Sequence, residues 1–334
     1  MFFKEKKILI IGGTGTIGQN LIRFLLEEEP EEIRIFSRDE FKQYHLQHTL
    51  KGNKKIRFCI GDVREYASVL AAMQDIDYAF HVAAMKHVAS CEQNPYEAVL
   101  TNIMGTNNVI KAAMEQQVEK VVFTSSDKAV SPTNTYGATK LTAERLISAA
   151  EQKKGNSKTV FASVRFGNVM GSRGSVIPLF TEQILKDKRI TVTNKKMSRF
   201  MMSLTQATML TMEALKEAQG GEVFILKMPV IVLETLSDVV IEEVAHKNGL
   251  DPSAITIEEI GLKPGEKMYE ELMTLDESAV AYELPNMYII PGLHSKMGLY
   301  SDAKKAALAT YSSDDQHPLM KEELRSLLNR EKLV

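Results

Sequence analysis

The stretch SSDKAVSPTNTYGATK, residues 125–140, carries an Asp-Lys pair shortly before a Tyr-x-x-x-Lys pattern. Tyr136 and Lys140 are one helical turn apart, so they share a face if this segment is helical. A phenol with a free pKa of about 10 is a poor base at neutral pH, and a nearby positive charge stabilises its anion. We therefore predict that Tyr136 acts as a base and that Lys140 assists it.

Asp127 and Lys128 are ionisable groups that a plain dehydrogenation does not need, since the tyrosine, the lysine and a hydroxyl donor such as Ser125 or Ser126 suffice. An elimination uses such a pair: one group removes a proton next to a new carbonyl, and the other protonates a departing hydroxide. The alternative is a helix-capping aspartate with a surface lysine. In the elimination Lys128 must be partly neutral, and we expect burial and the nearby positive Lys140 to lower its pKa, while Asp127 stays protonated.

The order of the elements indicates where these residues lie. Ligands of an open α/β sheet bind beyond the carboxyl ends of the strands, and residues 125–128 follow the fifth predicted strand. We predict an α/β fold with a doubly wound parallel (Rossmann) sheet and a second, smaller α/β substrate domain. The first domain is expected at 1–170 with a returning segment near 200–226, and the second at 171–199 and 227–334, including a C-terminal tail. The strands on which this rests are short β-branched runs separated by helical patterns, KILII, IRIF, IRFCI, YAFHV, KVVFT and VFASV.

A glycine triplet, Gly12, Gly15 and Gly18 in ILIIGGTGTIGQNLI, lies between the first strand and the first helix. Glycines there allow a tight turn and let backbone N–H groups approach a pyrophosphate at the positive end of the helix. The alternative, a glycine turn without a ligand, is disfavoured by its place in a βαβ series. The triplet predicts a nicotinamide dinucleotide cofactor.

The exit of the second strand indicates which dinucleotide is bound. An NAD-binding fold usually has an acidic residue there, whereas this chain has Ser37 and Arg38. A guanidinium at this position can make paired charge-assisted contacts with a 2′-phosphate, which favours NADP. Asp39 follows and either contacts the ribose hydroxyls or caps the next helix.

Composition excludes several other classes of function. The 334 residues include 41 Lys and Arg and 43 Asp and Glu, a formal charge of −2, which gives no reason to expect nucleic acid or a charged membrane surface as partner. The two cysteines form no CxxC pattern, so we expect no disulfide framework and no metal site. No apolar run approaches the roughly 20 residues that span a bilayer, and no signal-type segment is present. We expect a cytoplasmic protein.

Four motifs of the chain are similar to those of a known family: SSDKAVSPTNTYGATK, AAMKHVASCEQNPYEAVLTNIMGT, VRFGNVMGSRGSVIPLF and GLKPGEKMYEEL. From residue 5 to about residue 290 the chain resembles the UDP-N-acetylglucosamine 4,6-dehydratases of pseudaminic-acid pathways, which are CapD-like polysaccharide-biosynthesis proteins of the extended short-chain dehydrogenase/reductase superfamily. The resemblance implies that NADP is held throughout turnover and that Tyr136 takes the C4 hydroxyl proton. It implies that Lys128 removes the C5 proton, that Asp127 protonates the leaving C6 oxygen, and that hydride returns to C6.

The resemblance also implies the remaining contacts and a homo-oligomer, a dimer or larger. The chain departs from the family pattern at Ser126, usually Thr, at Met201, usually Trp, and at Lys263, usually Arg, which trades bidentate phosphate binding for a point charge. The cofactor contacts are expected at Gly12, Gly15, Thr16, Ile17, Gly18, Ser37, Arg38, Lys42, Asp62, Val63, Ala83, Ala84, Lys86, Tyr136 and Lys140, and the UDP-sugar contacts at Lys86, Asn168, Ser175, Val176, Arg199, Lys263 and Glu266.

Three alternatives stay open. A UDP-sugar C4 epimerase needs the cofactor and Tyr136 but has no use for Asp127 and Lys128. A dehydratase of this type either retains or inverts C5, or releases a 5,6-unsaturated product. A non-catalytic NADP-sensing regulator would have lost the tyrosine, and both Tyr136 and Lys140 are present.

Overall fold

The computed structural model describes residues 1–172, 174–292, 300 and 303–334. Its strands are β1 (Lys7–Ile11), β2 (Glu32–Ser37), β3 (Ile56–Ile60), β4 (Tyr78–His81), β5 (Lys120–Thr124), β6 (Val160–Arg165), β7 (Asn168–Val169), β8 (Arg189–Val192), β9 (Ser198–Met202), β10 (Val223–Leu226), β11 (Val230–Val232), β12 (Thr256–Glu259), β13 (Glu271–Met273), β14 (Tyr282–Glu283), β15 (Met287–Ile290), β16 (Lys304–Lys305) and β17 (Tyr311–Ser312). Its helices are α1 (Thr16–Glu27), α2 (Glu40–Thr49), α3 (Tyr66–Met73), α4 (Val88–Gln93), α5 (Pro95–Ala98), α6 (Gly105–Glu115), α7 (Thr135–Lys153), α8 (Val176–Asp187), α9 (Leu204–Glu217), α10 (Leu233–Lys247), α11 (Leu275–Val280) and α12 (Lys321–Arg330).

The central sheet has the strand order β16-β14-β15-β10-β6-β5-β4-β1-β2-β3. From β3 to β10 neighbouring strands are parallel, whereas β15, β14 and β16 continue the sheet in antiparallel pairs. Helices alternate with the parallel strands along the chain, so the predicted doubly wound α/β sheet is confirmed.

Both faces of this sheet are covered, because successive side chains of a strand point to opposite faces. Ile8 and Ile10 of β1 belong to an apolar core that includes residues of α1 and α9. Leu9 and Ile11 belong to a second core that includes residues of α3, α6 and α7. All four side chains are fully buried, which explains why the predicted strands are continuously apolar.

A third apolar core joins α8, α10 and α12 with β8 and β9. Smaller sheets flank it, with the orders β11-β9-β7 and β12-β8. The strands β14 to β16 lie in the range that the sequence assigned to a second domain, yet they hydrogen-bond into the central sheet. The domain boundaries remain a prediction. Over the described ranges, every helix is too short or too polar to cross a bilayer.

A buried arginine ties three parts of this fold together. Arg165 at the end of β6 is 1% exposed and pairs with Glu144 of α7 at 2.5 Å and with Glu277 of α11 at 2.9 Å. Its Nη1 also donates to the carbonyl oxygen of Leu272 in β13 at 2.8 Å. Burial acts against the charged form, but the two carboxylates outweigh it and raise the pKa of Arg165. The guanidinium therefore fixes α7 and the chain after β13 to the sheet.

We expect Arg165→Met to lower the free energy of unfolding by about 3–5 kcal/mol, since it leaves the buried Glu144 carboxylate without a counter-charge. Equilibrium urea unfolding measures this loss. Adding Glu144→Gln should recover part of it, because the double variant no longer buries the Glu144 charge. Lys186→Met, which breaks the exposed Lys186–Glu182 pair, is the matched control and should change stability little. A loss no larger than in that control would contradict the prediction.

Candidate active site

The loop between β1 and α1 leaves room that only glycine provides. Gly12 has φ +90°, and a Cβ there would lie 2.7 Å from the backbone nitrogen of Ala83. A Cβ on Gly18 would lie 2.5 Å from the Cα of Gly13. No side chain caps the N-terminus of α1, where Gly15 is the N-cap. The open helix end and the close backbone approach fit the pyrophosphate of a dinucleotide.

At the exit of β2 the side chain of Arg38 is 62% exposed, with its Nη1 3.7 Å from Oδ2 of Asp62. Asp39 is the N-cap of α2, and its Oδ1 accepts from the Lys42 N–H at 3.0 Å. Ser37, Arg38, Lys42 and Asp62 all line one large cleft. Asp39 caps α2, and because it also lines this cleft, its contact with the ribose hydroxyls stays a prediction.

Asp127 and Lys128 follow β5 in a short 3₁₀ turn, Asp127–Ala129. Asp127 is 1% exposed, and its Oδ1 accepts from Ser126 Oγ at 2.9 Å and from Lys128 Nζ at 3.2 Å. Its Oδ2 has no hydrogen-bond partner in the described part of the chain. The N-cap of the turn is Ser126, and Asp127 Oδ1 also accepts from the Lys128 N–H at 2.8 Å. The Lys128 side chain is 22% exposed and lines the cleft, so it is not the surface lysine of the alternative.

Glu270, immediately before β13, is the site residue that the sequence interpretation missed. It is 3% exposed, and its Oε1 lies 3.4 Å from Lys128 Nζ. Burial disfavours the ammonium, but Asp127 and Glu270 outweigh it and raise the pKa of Lys128. The expectation of a lowered Lys128 pKa is therefore wrong for this structure, because it took Asp127 as protonated and did not include Glu270.

The alternation of exposed and buried residues along this strand could have indicated that Glu270 is buried. Tyr269 is 42% exposed, Glu270 is buried, Glu271 is partly exposed and Leu272 is buried. With a period of two, Glu270 shares a face with the core residue Leu272. The sequence alone did not show that this face meets Lys128.

Tyr136 lies in the first turn of α7, where the Asn134 side chain accepts from the Gly137 N–H at 2.8 Å. It is 9% exposed. Burial raises the pKa of Tyr136, while a hydrogen bond with Ser126 and the charge of Lys128 act to lower it. The cation that favours the phenolate in this structure is therefore Lys128.

Lys140 is 2% exposed and is the one predicted site residue that is absent from the cleft lining in the described structure. Its Nζ donates to the carbonyl oxygen of Thr124 at 2.5 Å and lies 3.9 Å from the ring centroid of Phe123. Burial lowers its pKa to about 7, although Glu144 acts to raise it. Spacing placed Lys140 on the same helix face as Tyr136 but did not reveal this burial.

Arg199 on β9 also lines the cleft and donates to the carbonyl oxygens of Ser198, Lys267 and Met268, which fixes its guanidinium. Ser175 Oγ is buried and has no partner among the described residues. The cleft has a volume of about 1030 Å³. The other predicted site residues in its lining are Gly12, Gly15, Thr16, Ile17, Gly18, Val63, Ala83, Ala84, Lys86, Ser126, Asp127, Lys128, Tyr136, Asn168, Val176, Lys263 and Glu266. The structure thus brings the predicted cofactor and substrate residues together, while their individual roles remain predictions.

Comparison with known proteins identifies the family. The family model described as "Polysaccharide biosynthesis protein" matches residues 8–292. The chain belongs to this family. An uncharacterized membrane protein of Methanocaldococcus jannaschii is 46% identical over 327 residues, covering 98% of this chain and 96% of that protein. A UDP-glucose 4-epimerase of Rickettsia bellii is 42% identical over 335 residues, with the same coverage.

Two solved structures are similar to the chain. The X-ray structure of Pen from Bacillus thuringiensis has 62% identity and a TM-score of 0.95, with 100% of both chains covered. DesIV, a dTDP-glucose 4,6-dehydratase from Streptomyces venezuelae, has 19% identity and a TM-score of 0.70 over 78% of this chain and 86% of its own. The second likeness supports the Rossmann-type fold alone.

The burial of Lys140 predicts a pH effect on stability. Its folded pKa of about 7 lies below the unfolded value, so between the two values the unfolded chain binds one more proton. Stability then rises with pH in this window, by up to about 1.4 kcal/mol per pH unit. Lys140→Met lacks this slope. Urea unfolding of cofactor-free protein at about pH 7.5 and about pH 9.5 should show the parent gaining on the variant as pH rises. Parallel curves would contradict the burial argument.

Proposed function

We propose that the protein is an NADP-dependent UDP-N-acetylglucosamine 4,6-dehydratase that yields a UDP-4-keto-6-deoxy sugar. The observation that carries the proposal is the pair Asp127 and Lys128, held beside Tyr136 in the cleft below the glycine loop. An oxidation alone would make no use of Asp127 and Lys128. The family supports chemistry on a polysaccharide precursor.

When bound, the nicotinamide supplies a reversible acceptor of hydride from C4. The chain's own contribution to this half-reaction is Tyr136, which takes the C4 hydroxyl proton. Its ionisation is favoured by the Ser126 hydrogen bond and by the charge of Lys128. The glycine loop, Arg38 and Asp62 would hold the adenosine and phosphate parts of NADP.

In the elimination, Lys128 removes the C5 proton, which the C4 ketone has made acidic, and Asp127 gives a proton to the C6 oxygen as it leaves as water. Afterwards the Lys128 ammonium lies 3.2 Å from Asp127 Oδ1, so it can return the proton. The pair then begins the next turnover in its original protonation state. The product is complete when C6 has gained the hydrogen that left C4 and C5 has taken a proton from solvent, while Tyr136 releases to solvent the proton of the C4 hydroxyl.

The nucleotide end of the substrate would lie along Asn168, Ser175 and Arg199, with Lys263 and Glu266 closing the site. These last two belong to a loop whose Gly265 carbonyl oxygen accepts from Asn134 Nδ2 at 3.0 Å. Because Asn134 caps α7, substrate contacts on this loop are linked to the helix that carries Tyr136. A homo-oligomer remains part of the proposal.

A UDP-sugar C4 epimerase is the second candidate, favoured by the name of the relatives that are about two-fifths identical. That reaction uses Tyr136 and the cofactor but makes no use of Asp127 and Lys128. C5 inversion or a 5,6-unsaturated product would both be variants of the dehydratase.

We expect the purified protein to remove one water from UDP-N-acetylglucosamine without added cofactor, because NADP is regenerated in each turnover. Mass spectrometry detects the loss, and NMR in deuterium oxide should place a solvent deuteron at C5 and the C4 hydrogen at C6. Lys128→Ala should still reduce the cofactor on mixing and stall with water retained. Interconversion of C4 epimers at unchanged mass would establish the epimerase instead.

Arg38→Ala tests the cofactor assignment. Loss of a charge-assisted contact to the 2′-phosphate should weaken NADP binding by about 1.5–3 kcal/mol, while NAD binding should hardly change. Titration calorimetry on cofactor-free protein measures both. Arg145→Ala is a matched control, since Arg145 is exposed to a similar extent, 64%, and lies outside the cleft lining. Equal weakening of NADP and NAD would refute the role of Arg38.

A further inference from the structure

The proposed mechanism assigns no role to one buried carboxyl group, that of Glu270. Glu270 Oε1 contacts Lys128 Nζ at 3.4 Å, and Oε2 has no hydrogen-bond partner in the described chain. Lys128 lines the cleft, whereas Glu270 is outside the described lining. Glu270 therefore reaches the proposed base without meeting the substrate space.

The backbone of Glu270 is held firmly. Its N–H donates to Ser313 Oγ at 3.0 Å, and its carbonyl oxygen accepts from the Ser313 N–H at 2.9 Å. Ser313 Oγ in turn hydrogen-bonds Ser198 Oγ at 2.8 Å. The carboxyl is thus positioned by β9 and by the residue after β17, and it is not a mobile surface group.

The charged groups that face Glu270 come from three elements. Asp127 and Lys128 lie in the turn after β5, Arg199 lies on β9 and Lys267 lies in the loop before β13. Burial and Asp127 raise the pKa of Glu270, against the opposing effect of the three cations. A carboxyl in this setting accepts a proton more readily than one in water.

The same cluster creates a difficulty for Lys128. Two carboxylates stabilise its ammonium, and an ammonium cannot remove a proton from C5. When Asp127 already carries the proton for the leaving oxygen, it cannot also accept the proton of Lys128. In that state Lys128 needs a second acceptor beside it.

We infer that Glu270 is a positioning residue that accepts the Lys128 proton and thereby turns Lys128 into the base; the inference rests on the proposed function. An N–H bond of the ammonium breaks and an O–H bond forms on Glu270, which leaves a neutral amine and a carboxylic acid. The amine then takes the C5 proton while Asp127 protonates the departing oxygen. The new ammonium returns a proton to Asp127, and Glu270 stays protonated.

The first test reads the Lys128 proton without relying on activity. Holoenzyme is treated with an amine-selective acetylating reagent across a pH series, and labelling of Lys128 is followed by mass spectrometry. In Glu270→Gln the midpoint should rise by about one pH unit or more, because Lys128 keeps its proton when residue 270 cannot accept it. Glu271→Gln, at the neighbouring partly exposed position, is the matched control and should leave it unchanged. An unchanged midpoint would overturn the inference, and so would a lower one, since a fall means that the Glu270 carboxylate only stabilises the ammonium.

The second test separates the half-reactions. Glu270→Gln should reduce the cofactor on mixing with UDP-N-acetylglucosamine within about twofold of the parent rate, but its elimination should be slower and rise about tenfold per pH unit, because the Lys128 proton must now go to solvent. The parent profile should be flat over the same range. A merely structural role would lower both rates with no new pH slope.

Glu270→Asp is a second variant that keeps the inference testable if Glu270→Gln misfolds. It keeps a carboxylate one methylene further away, so its elimination rate and labelling midpoint should lie between those of the parent and Glu270→Gln. Values equal to the parent in both variants would refute the inference. If the parent removes no water from any UDP-sugar, the proposed function fails, and the labelling experiment still decides whether Glu270 controls the Lys128 proton.

Discussion

The ammonium of Lys128, enclosed by two carboxyl groups, is the interaction on which the rest of the site depends. An isolated buried ammonium tends to lose its proton and an isolated buried carboxylate tends to gain one, because burial disfavours charge. Here the charges of Asp127 and Glu270 stabilise the Lys128 ammonium, and Lys128 acts against the rise in the pKa of Glu270. The cluster forms only when the turn after β5 and the chain before β13 are in contact, so it couples the central sheet to the C-terminal part.

Several further contacts hold the central sheet and the C-terminal part together. Thr133 Oγ1 and Asn134 Nδ2 both donate to the carbonyl oxygen of Gly265, and Lys267 Nζ donates to that of Val130. Further along the chain Arg165 contacts Leu272 and Glu277. Each contact joins the segment 265–277 either to the loop between β5 and α7 or to β6, which lies next to β5 in the sheet. A shift of this segment would separate Glu270 from Lys128 and move the start of α7 as well.

Local patterns in the sequence predicted the parallel sheet, the glycine loop and the position of residues 125–140, because these follow from side-chain period and turn chemistry within a few residues. They did not predict β14 and β16, which are two-residue strands defined by pairing with distant partners. They did not predict the raised Lys128 pKa either, because the adjacent Asp127 was expected to be protonated and Glu270 is brought to Lys128 by tertiary packing. The choice of Ser126 over Asp127 as the cap of the turn is another case, since both residue types cap well.

The pattern Tyr-x-x-x-Lys predicts which residues lie on one helix face, but it does not predict which of them carry a charge. Helical spacing fixes Tyr136 and Lys140 on one side of α7, but the protonation of Lys140 depends on what surrounds its amine. The nearest carboxylate, Glu144, is one turn further along and is already paired with Arg165. Burial therefore prevails and lowers the pKa of Lys140 to about 7. The positive charge next to Tyr136 then comes from Lys128, so the group proposed to remove the C5 proton also assists the group proposed to remove the C4 hydroxyl proton. The two half-reactions are electrostatically linked, since a neutral Lys128 favours elimination and a charged one favours the phenolate.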